Sequence, residues 1–287
     1  MEQEPALPPP ACPVDGCNLS YDVVLRSSDD KRFGAHSTTL GSFSLGFPAA
    51  GSTIEGEENP DVSLSETSVV LELLLKFLHP NTPQPDVTQL QISTLEDFSE
   101  AAEKYQVYPA MQVCKFAMKA TVPEHPVAVL RYALKHGHAK LAETAILHTL
   151  AIPMVDMYEE LRNVDPRFFG YWALYREKMN LSVRVNWINA YSNYSIDVPN
   201  HTGHCGAWVS FASSVTSLIT AMSSKPDFLC FDQIVQREKY RLATCSHCNS
   251  WSSGSRPAKW TQSVNSHRQR IFEEVFGRDW GHDGQAE

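Results

Sequence analysis

The order of apolar and polar residues near the start of the chain predicts a β-hairpin packed against a short helix. Residues 21–26 form a β-rich run, residues 27–30 are turn formers, and residues 31–36 form a second strand-like run. Two strands joined by so short a turn are typical of an antiparallel hairpin. Residues 37–47 carry apolar side chains at spacings that suit a short helix, at Leu40, Phe43, Leu45 and Phe47.

A short strand and then a series of helices are predicted after this hairpin. Residues 48–60 are loop-like in composition, residues 61–64 alternate as a strand does, and residues 69–78 form a helix that is apolar nearly all round. A helix of that kind is buried in a protein core. The other segments with a helical period are 94–107, 109–120, 123–137, 139–150, 165–191, 205–223 and 257–276.

Chain length and local composition divide these elements into regions. The 287 residues are enough for one large domain or two modest ones, at ~150 residues per domain. The Pro-rich segment 1–18 and the polar segment 278–287 are predicted to be flexible tails. Between them we predict an α+β domain at 19–122, with a small sheet and helices, followed by an all-α C-terminal region at 123–277.

The net charge of the chain is acidic and argues against two kinds of partner. With 24 Lys and Arg against 33 Asp and Glu, the formal net charge is −9. A dedicated nucleic-acid binder carries a basic surface, and adsorption to an anionic membrane also needs basic residues. We therefore expect neither a nucleic acid nor a membrane as partner. The apolar share of 43% also argues against wholesale disorder.

Two features of the sequence predict a cytoplasmic or nuclear location. The sequence has no run of about 18 apolar residues that could span a membrane. Its first residues include two glutamates and several prolines but no apolar core, so we expect no secretory signal. In a reducing compartment, the seven cysteines are expected to be thiols or metal ligands rather than disulfides.

Several segments of residues 20–122 resemble the BTB/POZ domain. Asp22 and Val23 begin a "D-V-x-φ" strand, and Phe33 and His36 belong to a segment similar to "F-x-x-H-K-x-x-L". The further matching segments are 44–47 ("S-x-x-F"), 62–64 (the middle strand), 74–80 ("LL-x-F-(I/L)-Y") and 101–105 ("A-D-K-Y"). The downstream helices and the Cys-x-x-Cys motif are similar to a large group of fungal BTB proteins. The resemblance implies a fold that binds other proteins and performs no reaction.

The sequence departs from the family pattern at two places that concern partners. Strand-exchanged BTB homodimers usually have a basic residue after the histidine, facing Asp22, but Ser37 stands there. In cullin adaptors an apolar-x-acidic motif precedes the middle strand, whereas the loop 54–57 has its acid one place late, and a solvated acidic loop is the alternative interpretation. The resemblance therefore implies protein partners through this domain, as a homo- or hetero-oligomer, with a cullin scaffold as one candidate.

A search for catalytic motifs in the sequence finds none of the common ones. G-x-S-x-G, the P-loop, the Rossmann fingerprint and H-E-x-x-H are all absent. His136 and His138 are interpreted as the polar end of a helix. His36 falls on a family position that packs between strand and helix, so its predicted role is structural.

The Cys245-x-x-Cys248 motif predicts a structural zinc site in the C-terminal region. A two-residue gap lets both thiolates bind one Zn²⁺ from a tight turn, and a closed tetrahedral site needs two further ligands. We assign these to Cys205 and His204; the other candidates are His201, Cys230 and His247. The ion would fix the loop 192–205 onto the turn at 245–248.

Two other interpretations of these cysteines stay open at this stage. Free cysteine is among the most buried residue types, so the thiols can simply pack in the core. A redox pair would need a thioredoxin-like βαβ context, which the sequence lacks. Cys12 and Cys17 are set aside as ligands because they lie in the Pro-rich tail. Cys114 lies on an apolar helix and is expected to pack in the protein core.

These observations predict a non-enzymatic protein-interaction module, a BTB scaffold or adaptor. Its biological setting is either the assembly of a ubiquitin ligase or transcriptional regulation. The alternative is an enzymatic role for the helical C-terminal region at its Cys/His metal site. Ligand number discriminates between these hypotheses, because three protein ligands leave a position for water and four do not.

Overall fold

A computed structural model of the chain describes residues 10–47, 61–80, 82–182, 205–221, 230–251 and 255–277. The chain divides into two compact units, Met1–Thr121 and Val122–Glu287. The first unit contains a small sheet with helices, and the described part of the second unit is helical. This arrangement confirms the predicted fold class. The division falls between Thr121 and Val122, next to the domain boundary predicted between residues 122 and 123.

The sheet of the first unit has three strands in the order β2-β1-β3. Strand β1 (Val23–Arg26) pairs antiparallel with β2 (Arg32–Ala35), with Val24 opposite Gly34. The connecting turn places Asp30 at φ 65°, a left-handed conformation that aspartate tolerates. Strand β3 (Asp61–Ser63) runs parallel to β1 on its other side. The predicted hairpin and middle strand are therefore both present.

Four helices complete the described part of the first unit. They are α1 (Ser37–Phe43), α2 (Ser68–Phe77), α3 (Ile92–Lys104) and α4 (Tyr108–Thr121). The apolar run predicted for α2 is buried at Leu71, Leu74 and Leu75. It packs against α3, where the Phe77 and Phe98 rings lie 5.6 Å apart. These side chains belong to the core of the first unit.

Two aspartates of the hairpin cap the first turns of α1 and α2. The residues that precede these helices, His36 and Thr67, provide no side-chain cap. Instead, Asp22 accepts hydrogen bonds from the N–H (2.8 Å) and hydroxyl of Ser37. Asp29 accepts the equivalent pair from Ser68, at 2.7 and 2.6 Å. Ser37, which stands where the family has a basic residue, thus satisfies Asp22 by hydrogen bonding rather than by charge.

The cap at Asp29 is expected to make the stability of the protein sensitive to acid. Hydrogen bonds from the hydroxyls of Ser68 and then Ser27 lower the pKa of Asp29 from 3.8 to about 2. Because the folded pKa is the lower one, the stabilisation is complete above about pH 4 and is lost as the pH falls through about 2. Asp29→Asn should therefore lose less stability than the wild type over this window, as measured by urea unfolding.

The neighbouring Asp30→Asn variant is the matched control for this measurement. Asp30 forms an exposed ion pair with Arg26, whereas the hydrogen bonds to the start of α2 are made by Asp29. This variant should keep the acid-dependent loss of the wild type. An identical pH dependence for all three proteins would contradict the proposed role of Asp29.

Gly46 allows the segment after α1 to approach the end of α3 at backbone distance. Its N–H donates to the carbonyl of Tyr105 at 2.9 Å, and the Phe47 and Tyr105 rings stack at 4.2 Å. A Cβ at this position would lie only 2.6 Å from the carbonyl oxygen of Lys104. The contact therefore requires glycine.

The second unit consists of helices in its described part. They are α5 (Pro126–Lys135), α6 (Ala139–Thr149), α7 (Met154–Arg162), α8 (Pro166–Ser182), α9 (Gly206–Ala221), α10 (Cys230–Glu238), a 3₁₀ helix (Lys239–Leu242), α11 (Ser246–Asn249) and α12 (Arg256–Phe276). None of the helices described in either unit has the length and hydropathy needed to cross a membrane. The helix predicted at 165–191 corresponds to α8, and residues 183–191 lie outside the described residues.

Aromatic side chains form much of the core of the second unit. Trp172 and Tyr175 of α8 are buried, and Tyr175 contacts Phe272 of α12 edge-on at 6.1 Å. The indole N–H of Trp172 donates to the hydroxyl of Thr149 at 2.9 Å. A second aromatic group joins α9 to α12, where Trp208 and Trp260 meet edge-on at 5.7 Å.

Candidate functional site

Three cysteines of the second unit lie close together. Cys205 immediately precedes α9, while Cys245 precedes the short helix α11 and Cys248 lies within it. The sulfur atoms of Cys205 and Cys248 are 4.0 Å apart, and all three sulfurs lie within 4.8 Å of one another. The short helix accounts for the spacing, because one turn of helix brings Cys245 and Cys248 to the same side.

Burial and hydrogen bonding act differently on two of these thiols. Burial, with a further contribution from Cys205, raises the pKa of Cys248 to about 12. A hydrogen bond from the backbone N–H of Cys248 is the largest cause that lowers the pKa of Cys245 below its ordinary value. The group therefore contains one thiol that loses its proton more readily than an ordinary cysteine and one that loses it less readily.

The three sulfurs fit one face of a tetrahedral metal site. With Zn–S bonds of ~2.3 Å, the sulfurs of such a site are about 3.8 Å apart, close to the observed separation. The predicted fourth ligand, His204, lies outside the described residues, as does the alternative His201. His247 is described but does not belong to the group of mutually close donor atoms. The structure thus brings together Cys205, Cys245 and Cys248, and the complete ligand set stays a prediction.

A second cluster of metal-binding residue types lies in the first unit and is absent from our sequence predictions. It consists of Cys12, Cys17, His36 and His79, whose donor atoms all lie within 4.8 Å of one another. The four residues come from separate places in the chain: the segment before β1, the β2–α1 junction, and the end of α2. Because no short motif unites them, periodicity and spacing alone did not group them. One signal was present, since His79 occupies the tyrosine position of the family pattern "LL-x-F-(I/L)-Y".

The segment that carries Cys12 and Cys17 packs against the sheet. Ala11 forms a parallel bridge with Phe33, and its carbonyl accepts the N–H of Gly34 at 3.0 Å. Val14 is buried, and the turn closes with the N–H of Cys17 donating to the carbonyl of Val14 at 3.1 Å. The described residues 10–18 therefore differ from the flexible tail that their composition predicts.

Comparison with protein families gives this unit a name. The family model of the BTB/POZ domain matches residues 16–121. The first unit carries a BTB/POZ domain. A search of curated proteins found no match to the chain. The match confirms the resemblance, whereas the narrower assignment to a fungal group stays a prediction.

The BTB/POZ domain is a module for protein–protein interaction and oligomerisation. Helix α4 of this domain presents a stripe of exposed side chains at helical spacing, with Tyr108 53% exposed and Phe116 73% exposed. Gln112 lies between them, one turn from each, and is exposed as well. Large aromatic side chains are enriched at protein interfaces. The acidic loop at 54–57, considered above as a cullin motif, lies outside the described residues.

Proposed function

We propose that the protein is a non-enzymatic adaptor or scaffold that binds other proteins through its BTB/POZ domain. The observation that carries this proposal is the family match over residues 16–121. The net charge of −9 also favours protein partners over nucleic acids or anionic membranes. The cytoplasm or the nucleus is the proposed location.

Helix α4 is the proposed contact surface. Phe116 and Tyr108 are the exposed aromatic side chains on one stripe of this helix, and Gln112 supplies a polar group between them. Burial of two aromatic side chains at the centre of an interface typically provides much of its binding energy. The stripe has an aromatic side chain at each end and the uncharged Gln112 between them. Such a surface is suited to binding a helix of another protein.

Two finer forms of this function are assembly into a cullin ubiquitin ligase and scaffolding in transcriptional regulation. They are separated by measuring the mass of the full-length protein by light scattering, alone and with the N-terminal domain of a cullin. A complex with the cullin domain supports the ligase form. A homodimer that does not bind the cullin domain supports the scaffold form of the function. A monomer that does not bind the cullin domain would contradict both self-association and the ligase form.

The variant Phe116→Ala tests the contact surface in the same experiment. It should weaken the detected complex at least tenfold, in line with the loss of an interface aromatic. The matched control is Leu174→Ala, which also removes an exposed apolar side chain but from α8 of the second unit. If both variants bind as the wild type does, α4 is not the contact surface.

We also propose that Cys205, Cys245 and Cys248 hold a structural zinc ion in the second unit. The converging sulfurs and the short helix that positions two of them support this proposal. Zinc analysis of the purified protein should show that Cys245→Ser lowers the metal content by one equivalent per chain. An unchanged content would leave these thiols as packing residues.

A further inference from the structure

The structure points to a separate zinc site inside the BTB/POZ domain, and we propose that Zn²⁺ is held there by Cys12, Cys17, His36 and His79. Two thiolates and two imidazoles form one of the common ligand sets of structural zinc. This site goes beyond the proposed adaptor function, and it is independent of the cysteine cluster in the second unit.

The distances between the donor atoms match the edges of a zinc tetrahedron. The Nε2 atom of His79 lies 3.3 Å from the sulfur of Cys12 and 3.5 Å from that of Cys17. The Nε2 atom of His36 lies 3.3 Å from the sulfur of Cys17. Bonds of ~2.3 Å to sulfur and ~2.0 Å to nitrogen give sulfur–nitrogen edges of about 3.6 Å in a tetrahedral site.

Both histidines are oriented as zinc ligands are. The Nδ1 atom of His36 is 3.0 Å from the carbonyl of Ser20, and that of His79 is 2.8 Å from the carbonyl of Leu75. A carbonyl can only accept, so each Nδ1 carries the proton and each Nε2 presents its lone pair to the thiols. Such a carbonyl on the far nitrogen is the usual outer-shell partner of a metal-bound histidine.

Thiol–imidazole hydrogen bonds account for only two of the three short sulfur–nitrogen contacts. Cys12 can donate to His79 and Cys17 to His36, each at 3.3 Å, but no thiol proton is left for the third contact, at 3.5 Å between Cys17 and His79. A cation at the centre satisfies all four groups at once.

The two histidines are held in place by the fold itself, which prepares the site. His36 is 3% exposed at the junction of β2 and α1, and His79 is buried just after α2. Their rings meet edge-on at 5.2 Å. The cysteines come from the preceding segment, where Gly16 adopts φ 71° in the turn before Cys17. A bound ion would therefore fasten this segment to both the sheet and α2.

The test is zinc counting on the full-length protein purified under reducing conditions. Native mass spectrometry should find one zinc ion in Cys245→Ser, because this change affects only the second unit. The double variant Cys12→Ser/Cys245→Ser should have none. Serine at position 12 can still donate a hydrogen bond to His79 but is a poor zinc ligand. The control double variant Cys114→Ser/Cys245→Ser removes a buried thiol of α4 instead of Cys12. It should keep the one zinc ion of Cys245→Ser.

Cobalt substitution provides a second measurement that does not depend on the variants at Cys12. Cys245→Ser loaded with Co²⁺ should show the visible absorption of a tetrahedral ion together with thiolate charge-transfer bands. Absence of zinc from Cys245→Ser, together with an octahedral cobalt spectrum, would overturn the proposal. That result would leave the adaptor function untouched, because the protein-binding experiments do not measure metal.

Discussion

Replacing Phe98 by alanine is expected to lower the free energy of unfolding of the first unit by about 3–5 kcal/mol. The side chain is fully buried on α3 and contacts Phe77 of α2. Its removal leaves a cavity between two helices that the surrounding main chain can close only in part. Urea unfolding followed by circular dichroism measures the loss, and most of it should appear as a lower midpoint with an unchanged slope.

Phe116→Ala is the control for this experiment because the same atoms are removed from an exposed position. With 73% of its surface exposed, Phe116 should change the free energy of unfolding by no more than about 0.5 kcal/mol. Equal losses in the two variants would contradict the arrangement of α3 and α4. A stable Phe116→Ala protein would also show that a defect in partner binding arises at the surface and not from unfolding.

The second unit should depend to a similar extent on Trp172. Trp172→Ala is expected to cost about 3–5 kcal/mol, since the indole is fully buried between the helices. It should also remove the ring contact with Phe169, whose centroid is 6.0 Å away. Urea unfolding monitored by far-ultraviolet circular dichroism is the appropriate measurement, because the change removes a tryptophan fluorophore.

The hydrogen bond of Trp172 can be tested separately from its packing. Thr149→Val keeps the shape of the side chain but leaves the buried indole N–H without its acceptor, at a cost of about 1–3 kcal/mol. Thr144→Val makes the same change at a half-buried position of the same helix and should have little effect. A Thr149→Val protein as stable as Thr144→Val would show that the hydrogen bond makes no net contribution.

The elements with strong periodicity could be predicted from the sequence, whereas α7 could not. The hairpin and α2 have apolar patterns that admit one interpretation, and both are present. In α7, by contrast, only Met157 and Leu161 are buried, so its apolar stripe is too narrow to stand out from a loop. Helix α7 packs against α8, where the Tyr158 and Phe169 rings meet edge-on at 5.2 Å, and no local sequence pattern indicates this contact.

The same contrast holds for the two metal-binding clusters. Cys245 and Cys248 are separated by two residues, so their spacing alone indicated a shared ligand. His36 and His79 are far apart in the sequence and are brought together only by the tertiary fold, with their rings 5.2 Å apart. The local composition also gave no indication of Cys12 and Cys17 as their partners, because the prolines around Cys12 predicted a flexible tail. Contacts between residues distant in sequence are set by the tertiary fold, and a single sequence gives little access to them.

The bridge between Ala11 and Phe33 has a consequence for the solubility of the protein. In the described sheet, β2 is an edge strand, and the N–H of Gly34 would face outward if Ala11 did not accept it. Open edges of this kind are templates for pairing between molecules and for aggregation. The cysteine-bearing segment therefore acts as a protective cover for the edge. If zinc holds this segment against the sheet, removal of the ion by a chelator would expose the edge strand. Oxidation of Cys12 and Cys17 would have the same effect, and both would favour aggregation of otherwise folded molecules.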